Sequence, residues 1–192
     1  CSSDLPMTSP FLRVERHGPV ALLTLDRPDT RNALSGEECF AGFEQVFAEL
    51  NADTGVRAAV LTGAGSAFCS GGNVAEMRDR TGMFGGSPEQ IAQNYRNGIQ
   101  RIPRAFQTLQ VPIIAAVNGP CIGYGLTGVL FCDFVIASTA ATFAFPEVTI
   151  GVPTIVGAIR LPERDLRWGG CIHDAHVRAL RQQCAICIDV RR

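Results

Sequence analysis

The sequence has no apolar run as long as the roughly 18–20 residues that a membrane-spanning helix requires. Its first ten residues, CSSDLPMTSP, contain neither the basic stretch nor the apolar stretch of a secretory signal peptide. The formal net charge is only −1, and no basic cluster alternates with aromatic residues as on a nucleic-acid-binding surface. We therefore expect a protein that contacts neither membrane nor nucleic acid. Position 1 is not Met, so Met7 is the expected native start.

Eight cysteines occur without a secretory signal, which predicts reduced thiols and a cytoplasmic setting rather than a disulfide framework. Hydrophobic residues make up 46% of the 192 positions and charged residues 18%, which is typical of one ordered globular domain. A zinc cluster could be built from Cys171, His173, His176, Cys184 and Cys187. Their Cys-to-His order matches no standard zinc finger, so we expect no metal and a disordered or aberrant tail over 163–192.

Local patterns in the first third of the chain predict a hairpin followed by a helix. FLRVERHG and VALLTLDRP are β-rich runs separated by a Gly-Pro turn, which predicts two paired strands. Ser35 and Glu38 fit a capping box, in which each side chain bonds the backbone N–H of the other residue. Apolar residues then recur at helical spacing, which predicts an amphipathic helix to about Ala52.

Strand and helix patterns continue to alternate in the rest of the chain. VRAAVLTG, PIIAAVNG, DFVIAS and ATFAF predict strands, whereas VAEMRDR and the region around LTGVLFC predict short helices. TGMFGGSPEQ is typical of a mobile loop, and the apolar spacing from Ile91 to Leu109 predicts a helix bent or broken near Pro103. Strands that alternate with helices imply crossover connections and an α/β fold.

Two segments share one pattern, in which an apolar strand leads into a Gly-rich turn and then a helix. They are AVLTGAGSAFCSGGN and IIAAVNGPCIGYG. Such turns present backbone N–H groups at the positive end of a helix dipole, and two converging donors would form an oxyanion hole. Gly123, Gly125 and Gly128 also fit the GxGxxG pattern of a dinucleotide-binding site, as in an NAD-dependent dehydrogenase.

Four motifs occur in the chain order RPDTRNALS, GSAFCSGGN, AAVNGPCIGYG and FAFPEVTIGVP. Together they resemble the enoyl-CoA hydratase/isomerase (crotonase) superfamily. The resemblance covers roughly Phe11 to Pro162 and implies a core domain over 11–162 after an N-terminal extension, expected to be disordered, over 1–10. It implies an α/β spiral of repeated ββα units, assembled as a homotrimer or dimer of trimers. It also argues against the dinucleotide site, because no N-terminal βαβ unit frames GYGLTG.

The resemblance implies an acyl-CoA thioester as substrate, with coenzyme A carried by the substrate and no other cofactor. Members hold the thioester enolate between two backbone N–H groups, which fall here on Gly72 and Tyr124. Glu147 matches the family's acid/base residue, whereas Thr127 stands where a hydratase has a second glutamate. One carboxylate suffices to move a proton between two carbons, so isomerisation is expected over hydration. The implied substrate-binding residues are Arg31, Ala33, Ala67, Phe68, Ser70, Gly71, Gly72, Asn73, Val74, Gly123, Tyr124, Thr127 and Pro146.

The end of the chain departs from the family pattern. Members continue for several tens of residues through helices that complete the active site and the oligomer interface, so this C-terminal helical part is expected to be missing or aberrant. Residues 163–192 are rich in Arg, Cys and His, as a frameshifted reading of a GC-rich gene would be. A catalytically inactive fragment that binds coenzyme A or a full-length partner is therefore a further alternative.

Overall fold

The computed structural model of the protein describes residues 9–147. The seven strands of this part are β1 (Leu12–His17), β2 (Val20–Leu25), β3 (Ala58–Gly63), β4 (Ile113–Val117), β5 (Cys121–Ile122), β6 (Phe134–Ala137) and β7 (Phe143–Ala144). Its five α-helices are α1 (Glu37–Ala52), α2 (Val74–Asp79), α3 (Pro88–Asn97), α4 (Arg101–Thr108) and α5 (Tyr124–Leu130). The alternation of strands and helices confirms the predicted α/β class.

Five strands form the larger sheet, in the order β1-β2-β3-β4-β6. The predicted hairpin of β1 and β2 is confirmed as an antiparallel pair, and the other neighbours in this sheet run parallel. In the register of β2 and β3, Leu25 lies opposite Gly63 at the carboxyl ends of the two strands. The carboxyl ends of parallel strands meet at one edge of a sheet, so the loops that follow β2, β3 and β4 begin at the same edge.

Strands β5 and β7 form a second, two-stranded parallel sheet. A parallel bridge between Cys69 and Cys121 joins this small sheet to the loop that follows β3. The second sheet thus connects the two Gly-rich turns that the sequence analysis identified.

The hydrophobic core lies between one face of the larger sheet and the helices α1 and α4. Ala21, Leu23 and Leu25 of β2 are buried on one face, and α1 buries the apolar stripe that its periodicity predicts. Phe43 and Phe47 of α1 both contact Phe106 of α4, with ring centroids 5.7 and 4.9 Å apart. Each buried phenylalanine stabilises the fold by about 1.5–3 kcal/mol. On the edge strand β6, Phe134 and Ile136 are exposed in the described part of the chain.

The predicted capping box is wrong, although the helix behind it is confirmed. Helix α1 begins after Gly36, which has φ 81°, and no side chain caps it. Glu38 forms an ion pair with Arg27 instead of bonding back to the Ser35 N–H. The positive φ at Gly36 changes the direction of the chain, so Ser35 lies one residue too early to cap the helix.

The helix break predicted near Pro103 lies elsewhere. Helix α3 ends at Asn97 and α4 begins at Arg101, with buried Gly98 between them. A methyl group on Gly98 would stand 2.7 Å from the Asn94 carbonyl oxygen, so a larger residue would not fit this corner. Pro103 lies in the first turn of α4, where backbone N–H groups have no partner inside the helix. The N–H that proline lacks therefore costs no helical hydrogen bond.

The segment TGMFGGSPEQ, predicted as a loop, contains regular structure. A 3₁₀ turn spans Gly82–Phe84, and the Ser87 hydroxyl accepts a bond from the Gln90 N–H to cap α3. A Ser-Pro start of this kind satisfies one free N–H of the first helical turn and removes another.

Several expectations fall wholly or partly outside residues 9–147. These include the zinc candidates, the tail over 163–192 and the end of the core domain beyond Glu147. Within 9–147 no helix is long and apolar enough to cross a membrane. Over the same residues no group of three His, Cys, Asp or Glu side chains could hold a metal ion. Four buried cysteines in this part carry free thiols, namely Cys39, Cys69, Cys121 and Cys132.

Candidate active site

The first Gly-rich turn folds back onto the strand that precedes it. A methyl group on Gly63, at the end of β3, would stand 2.4 Å from the Phe68 carbonyl oxygen, which explains the glycine there. The N–H groups of Phe68 and Cys69 both donate to the Pro120 carbonyl, at 3.0 and 3.1 Å. Pro120 belongs to the second Gly-rich segment, so backbone hydrogen bonds join the two turns.

The two turns meet at Gly71 and Tyr124. A methyl group on Gly71 would stand 2.7 Å from the Ile122 carbonyl oxygen and 3.3 Å from the Tyr124 nitrogen. Gly71 also has φ 84°, a conformation that residues with side chains rarely adopt. Glycine is therefore required at position 71 for two reasons, and both keep the two turns close together.

The backbone N–H groups of Gly72 and Tyr124, which lie at this junction, have no acceptor among residues 9–147. Tyr124 is the first residue of α5, where an N–H has no partner inside the helix. The peptide bond between Gly71 and Gly72 is held at its carbonyl group, because the Leu34 N–H donates to the Gly71 carbonyl at 2.7 Å. No described residue thus competes with a ligand for either N–H group.

Glu147 lies beside the second turn. The Gly123 N–H donates to the Ala144 carbonyl at 2.7 Å, which holds the end of β7 against the start of α5. Three residues further on, the Glu147 Oε1 lies 2.9 Å from where a methyl group on Gly123 would stand. Its Oε2 is buried without a hydrogen-bond partner among the described residues. Burial raises the pKa of this carboxyl above its ordinary value.

Thr127 and Pro146 complete the predicted residues on this side. Thr127 lies in α5 with only 3% of its surface exposed, and its N–H donates to the Gly123 carbonyl at 3.2 Å. Pro146 directly precedes Glu147 and is partly buried. No carboxylate occupies position 127, so Glu147 is the one matched carboxylate in the described part of the site.

The predicted residues of the first turn have different surroundings. Ala67 and Phe68 are buried, and the Ser70 N–H donates to the Arg31 carbonyl at 2.9 Å. Asn73 caps α2, because its side-chain oxygen accepts bonds from the Ala75 and Glu76 N–H groups. The backbone thus brings the segment around Arg31 to the first turn.

The predicted residues before and after the first turn differ in how exposed their side chains are. Ala33 is 6% exposed and belongs to the core, whereas 69% of Val74 is exposed at the start of α2. Arg31 is exposed and has φ 54°, the left-handed conformation that few residues with side chains adopt. Arg31 and Val74 are therefore accessible to a ligand, whereas the Ala33 side chain is buried.

Sequence reasoning missed an apolar wall beside Gly72. A methyl group on Gly72 would stand 2.6 Å from Met77 Cε and 3.9 Å from Phe84 Cζ. Phe84 packs edge-on against Tyr95, with ring centroids 5.8 Å apart. The Tyr124 hydroxyl donates to the Ile99 carbonyl at 3.1 Å, and burial raises its pKa. Tyr95 belongs to the apolar spacing that predicts a helix, but no apolar period marks Met77 or Phe84, so only the fold reveals that these residues lie beside Gly72.

Comparison with known proteins finds one family throughout. A family model described as enoyl-CoA hydratase/isomerase matches residues 15–165. The chain is 35% identical over 152 residues to the short-chain-enoyl-CoA hydratase of Clostridium acetobutylicum, covering 77% of this chain and 54% of that protein. It is 36% identical over 156 residues to the carnitinyl-CoA dehydratase of Salmonella arizonae, covering 81% and 56%. The chain thus spans about half the length of the relatives it matches.

Solved structures agree with these matches. An enoyl-CoA hydratase/isomerase from Mycobacterium paratuberculosis superposes with a TM-score of 0.69 at 28% identity, covering 87% of this chain and 64% of that one. A putative enoyl-CoA hydratase from Streptomyces coelicolor gives a TM-score of 0.70 at 33% identity, covering 85% and 58%. These matches confirm the predicted crotonase-type α/β fold. The chain therefore belongs to the enoyl-CoA hydratase/isomerase family.

Proposed function

We propose that the protein acts on an acyl-CoA thioester and stabilises the enolate of that thioester at the junction of the two Gly-rich turns. The Gly72 and Tyr124 N–H groups donate to the enolate oxygen, and Glu147 moves the proton. The observation that carries this proposal is the position of Glu147. Its carboxylate lies against Gly123, next to the Tyr124 N–H, and one of its oxygens is buried without a partner in the described chain.

Backbone donors suit this reaction because the charge develops on the thioester oxygen. When a proton leaves the carbon beside the thioester, its electron pair moves onto that oxygen, which then needs hydrogen bonds that are already aimed at it. The Gly71–Gly72 peptide is held by the Leu34 N–H, and Tyr124 lies at the positive end of α5. Neither donor has to give up a protein partner among residues 9–147 in order to act.

Glu147 has the properties of a carboxylate that carries protons. Burial raises its pKa, so the ionised form is a stronger base than an exposed glutamate. In an isomerisation it would take a proton from one carbon and return the proton to another, ending in its starting state. Hydration requires in addition a group that activates water, and the Thr127 hydroxyl is not a carboxylate base. We therefore favour isomerisation, whereas relatives include proteins named hydratase and dehydratase.

The remaining parts of this proposal concern the ligand and the assembly. Coenzyme A enters with the substrate, and Arg31, Ser70 and the turn after it are the proposed contacts on that side. No metal or redox cofactor has a step in this chemistry. A homotrimer or dimer of trimers in the cytoplasm stays a prediction. The comparisons give no support to a dehydrogenase that uses GYGLTG.

Calorimetric titration separates the proposal from its alternatives. An enoyl-CoA thioester and NAD are each titrated into the protein, and turnover of the same thioester is followed by chromatography. We expect thioester binding, no response to NAD, and movement of the double bond. NAD binding without a thioester response would contradict the assignment. Thioester binding without any turnover would instead support the inactive fragment.

A further inference from the structure

Asn32 is a fully buried polar residue outside the reacting groups. It is 0% exposed and has φ 57°, so a residue with a side chain occupies the left-handed region inside the core. Such a conformation costs of order 1–3 kcal/mol and persists only where the surroundings enforce it. The residue lies between a 3₁₀ turn over Pro28–Thr30 and helix α1.

The Asn32 side chain binds three backbone carbonyl groups in the first part of the first Gly-rich turn. Its Nδ2 group lies 2.9 Å from the Ala64 carbonyl, 3.0 Å from that of Ala67 and 3.1 Å from that of Phe68. Its Oδ1 accepts a bond from the Arg27 N–H at 2.9 Å. The two N–H bonds of the amide are shared among three carbonyl groups while its oxygen accepts a fourth contact, so the position uses both the donor and the acceptor of a short amide side chain.

The backbone around Asn32 binds the residues just before Gly72. The Asn32 carbonyl accepts the Cys69 S–H at 3.1 Å, and burial raises the pKa of that thiol to about 12, so it keeps its proton. Two residues later, the Leu34 N–H donates to the Gly71 carbonyl at 2.7 Å. The side chain and the backbone of this short segment therefore hold opposite ends of one turn.

The direction of the Gly72 N–H follows from the contact with Leu34. In a trans peptide the carbonyl of one residue and the N–H of the next point in opposite directions within one plane. When Leu34 holds the Gly71 carbonyl, it also directs the Gly72 N–H away from the segment around Asn32. A displacement of Leu34 relative to the turn would rotate this peptide.

We propose that Asn32 is a positioning residue that sets the direction of the Gly72 N–H by joining the segment 31–34 to the turn 64–71. The inference rests on the proposed function, in which this N–H polarises the thioester carbonyl. Asn32 touches neither the substrate nor the reacting atoms. Its effect passes through the Gly71–Gly72 peptide.

Asn32→Asp tests this role, and Asn118→Asp is the matched control. Asn32→Asp keeps the size of the side chain and places a carboxylate oxygen against three carbonyl oxygens. Asn118 binds only the start of the same turn, where its Oδ1 accepts from the Gly63 N–H at 3.3 Å and its Nδ2 donates to the Gly65 carbonyl at 3.1 Å. We expect both substitutions to lower stability and only Asn32→Asp to displace the peptide before Gly72.

The readout is the infrared band of a ¹³C-labelled thioester carbonyl in an enoyl-CoA bound to the protein. We expect binding to shift the band to lower frequency in the unsubstituted protein and in Asn118→Asp. Asn32→Asp should move it back toward its position in water and lower kcat by about 10–100-fold, the usual effect of a small displacement in an active site. The thioester Kd should change by less than about threefold, since most of the ligand lies elsewhere.

Asn32→Gly provides a second variant, because glycine adopts the positive φ without strain and loses only the side-chain bonds. An unchanged carbonyl band in the folded Asn32 variants would overturn the positioning role. Failure of both variants to fold would also overturn it, in favour of a purely structural role. No band shift in the unsubstituted protein would instead contradict the proposed function, so the two failures are distinguishable.

Discussion

The Glu147 carboxylate lies so close to Gly123 that a methyl group on that glycine would stand 2.9 Å from Oε1. Gly123 has φ 54° and ψ −120°, a conformation in which glycine is strongly favoured, and it directly precedes the first residue of α5. The same glycine thus turns the chain into the helix and leaves room for the carboxylate. This relationship brings a buried carboxylate close to the residue that precedes the Tyr124 N–H, and the predictions below depend on it.

Glu147→Gln should lower turnover of an enoyl-CoA by on the order of 10²–10⁴, the usual contribution of general acid–base catalysis. Thioester affinity should change little, because the proposed oxyanion donors are backbone groups. Steady-state kinetics and calorimetry on the same preparations measure both. Glu49→Gln is the matched control, since Glu49 also has a buried oxygen without a described partner but lies in α1. Equal losses in the two variants would contradict a catalytic role for Glu147.

The same substitution should stabilise the fold at neutral pH. The pKa of Glu147 is raised above its ordinary value of 4.5. The protonated carboxyl is therefore favoured in the folded state, and its contribution to stability is lost as pH rises through the raised pKa. Glutamine does not ionise, so the free energy of unfolding of Glu147→Gln should exceed that of the parent at pH 7. Urea denaturation across pH should show the difference disappearing below the ordinary pKa. A variant that is less stable at pH 7 would contradict the assigned burial.

Gly71→Ala should separate the two turns and abolish turnover. The substitution adds a methyl group 2.7 Å from the Ile122 carbonyl oxygen at φ 84°, so it should also cost about 1–3 kcal/mol of stability. Gly128→Ala is the control, because the residue is inside α5 and, beyond the adjoining backbone of that helix, no atom of the described residues lies within 4 Å of the added methyl group. Alanine in a helix interior should stabilise the fold by about 0.5–1 kcal/mol. Thermal unfolding and activity assays of both variants test this contrast, and retention of activity in Gly71→Ala would refute it.

Thr127→Glu should raise hydration of a matched enoyl-CoA relative to movement of its double bond. The new carboxylate supplies the second group that activation of water requires. Thr127 is 3% exposed, so the longer side chain should also lower stability, and unfolding must be measured alongside. Thr127→Gln matches the size without the charge and should leave hydration low. Efficient hydration by the parent protein would show that another residue provides the second acid/base group.

The local elements could be predicted wherever one pattern determines them. The periodicity of Phe43, Phe47 and Leu50 predicts α1, and the β-rich runs around the Gly-Pro turn predict the β1–β2 hairpin. Predictions failed where two signals compete. The Ser-x-x-Glu pattern indicates a cap at Ser35, but the positive φ of Gly36 moves the start of the helix. Pro103 suggested the wrong position for the helix break, because the tight corner at Gly98 separates α3 from α4.

The sequence by itself determined the family, because four motifs in a fixed order carry the turns, the glycines and the glutamate that this fold requires. It also determined which residue types are present, including Thr127 in place of a second carboxylate. Only the tertiary structure decided which of these residues are neighbours in space. Glu147 reaches Gly123 through the pairing of β5 with β7, and Asn32 reaches the first turn through contacts more than thirty residues apart. Such long-range contacts depend on how strands pair and helices pack, and local periodicity carries no record of them.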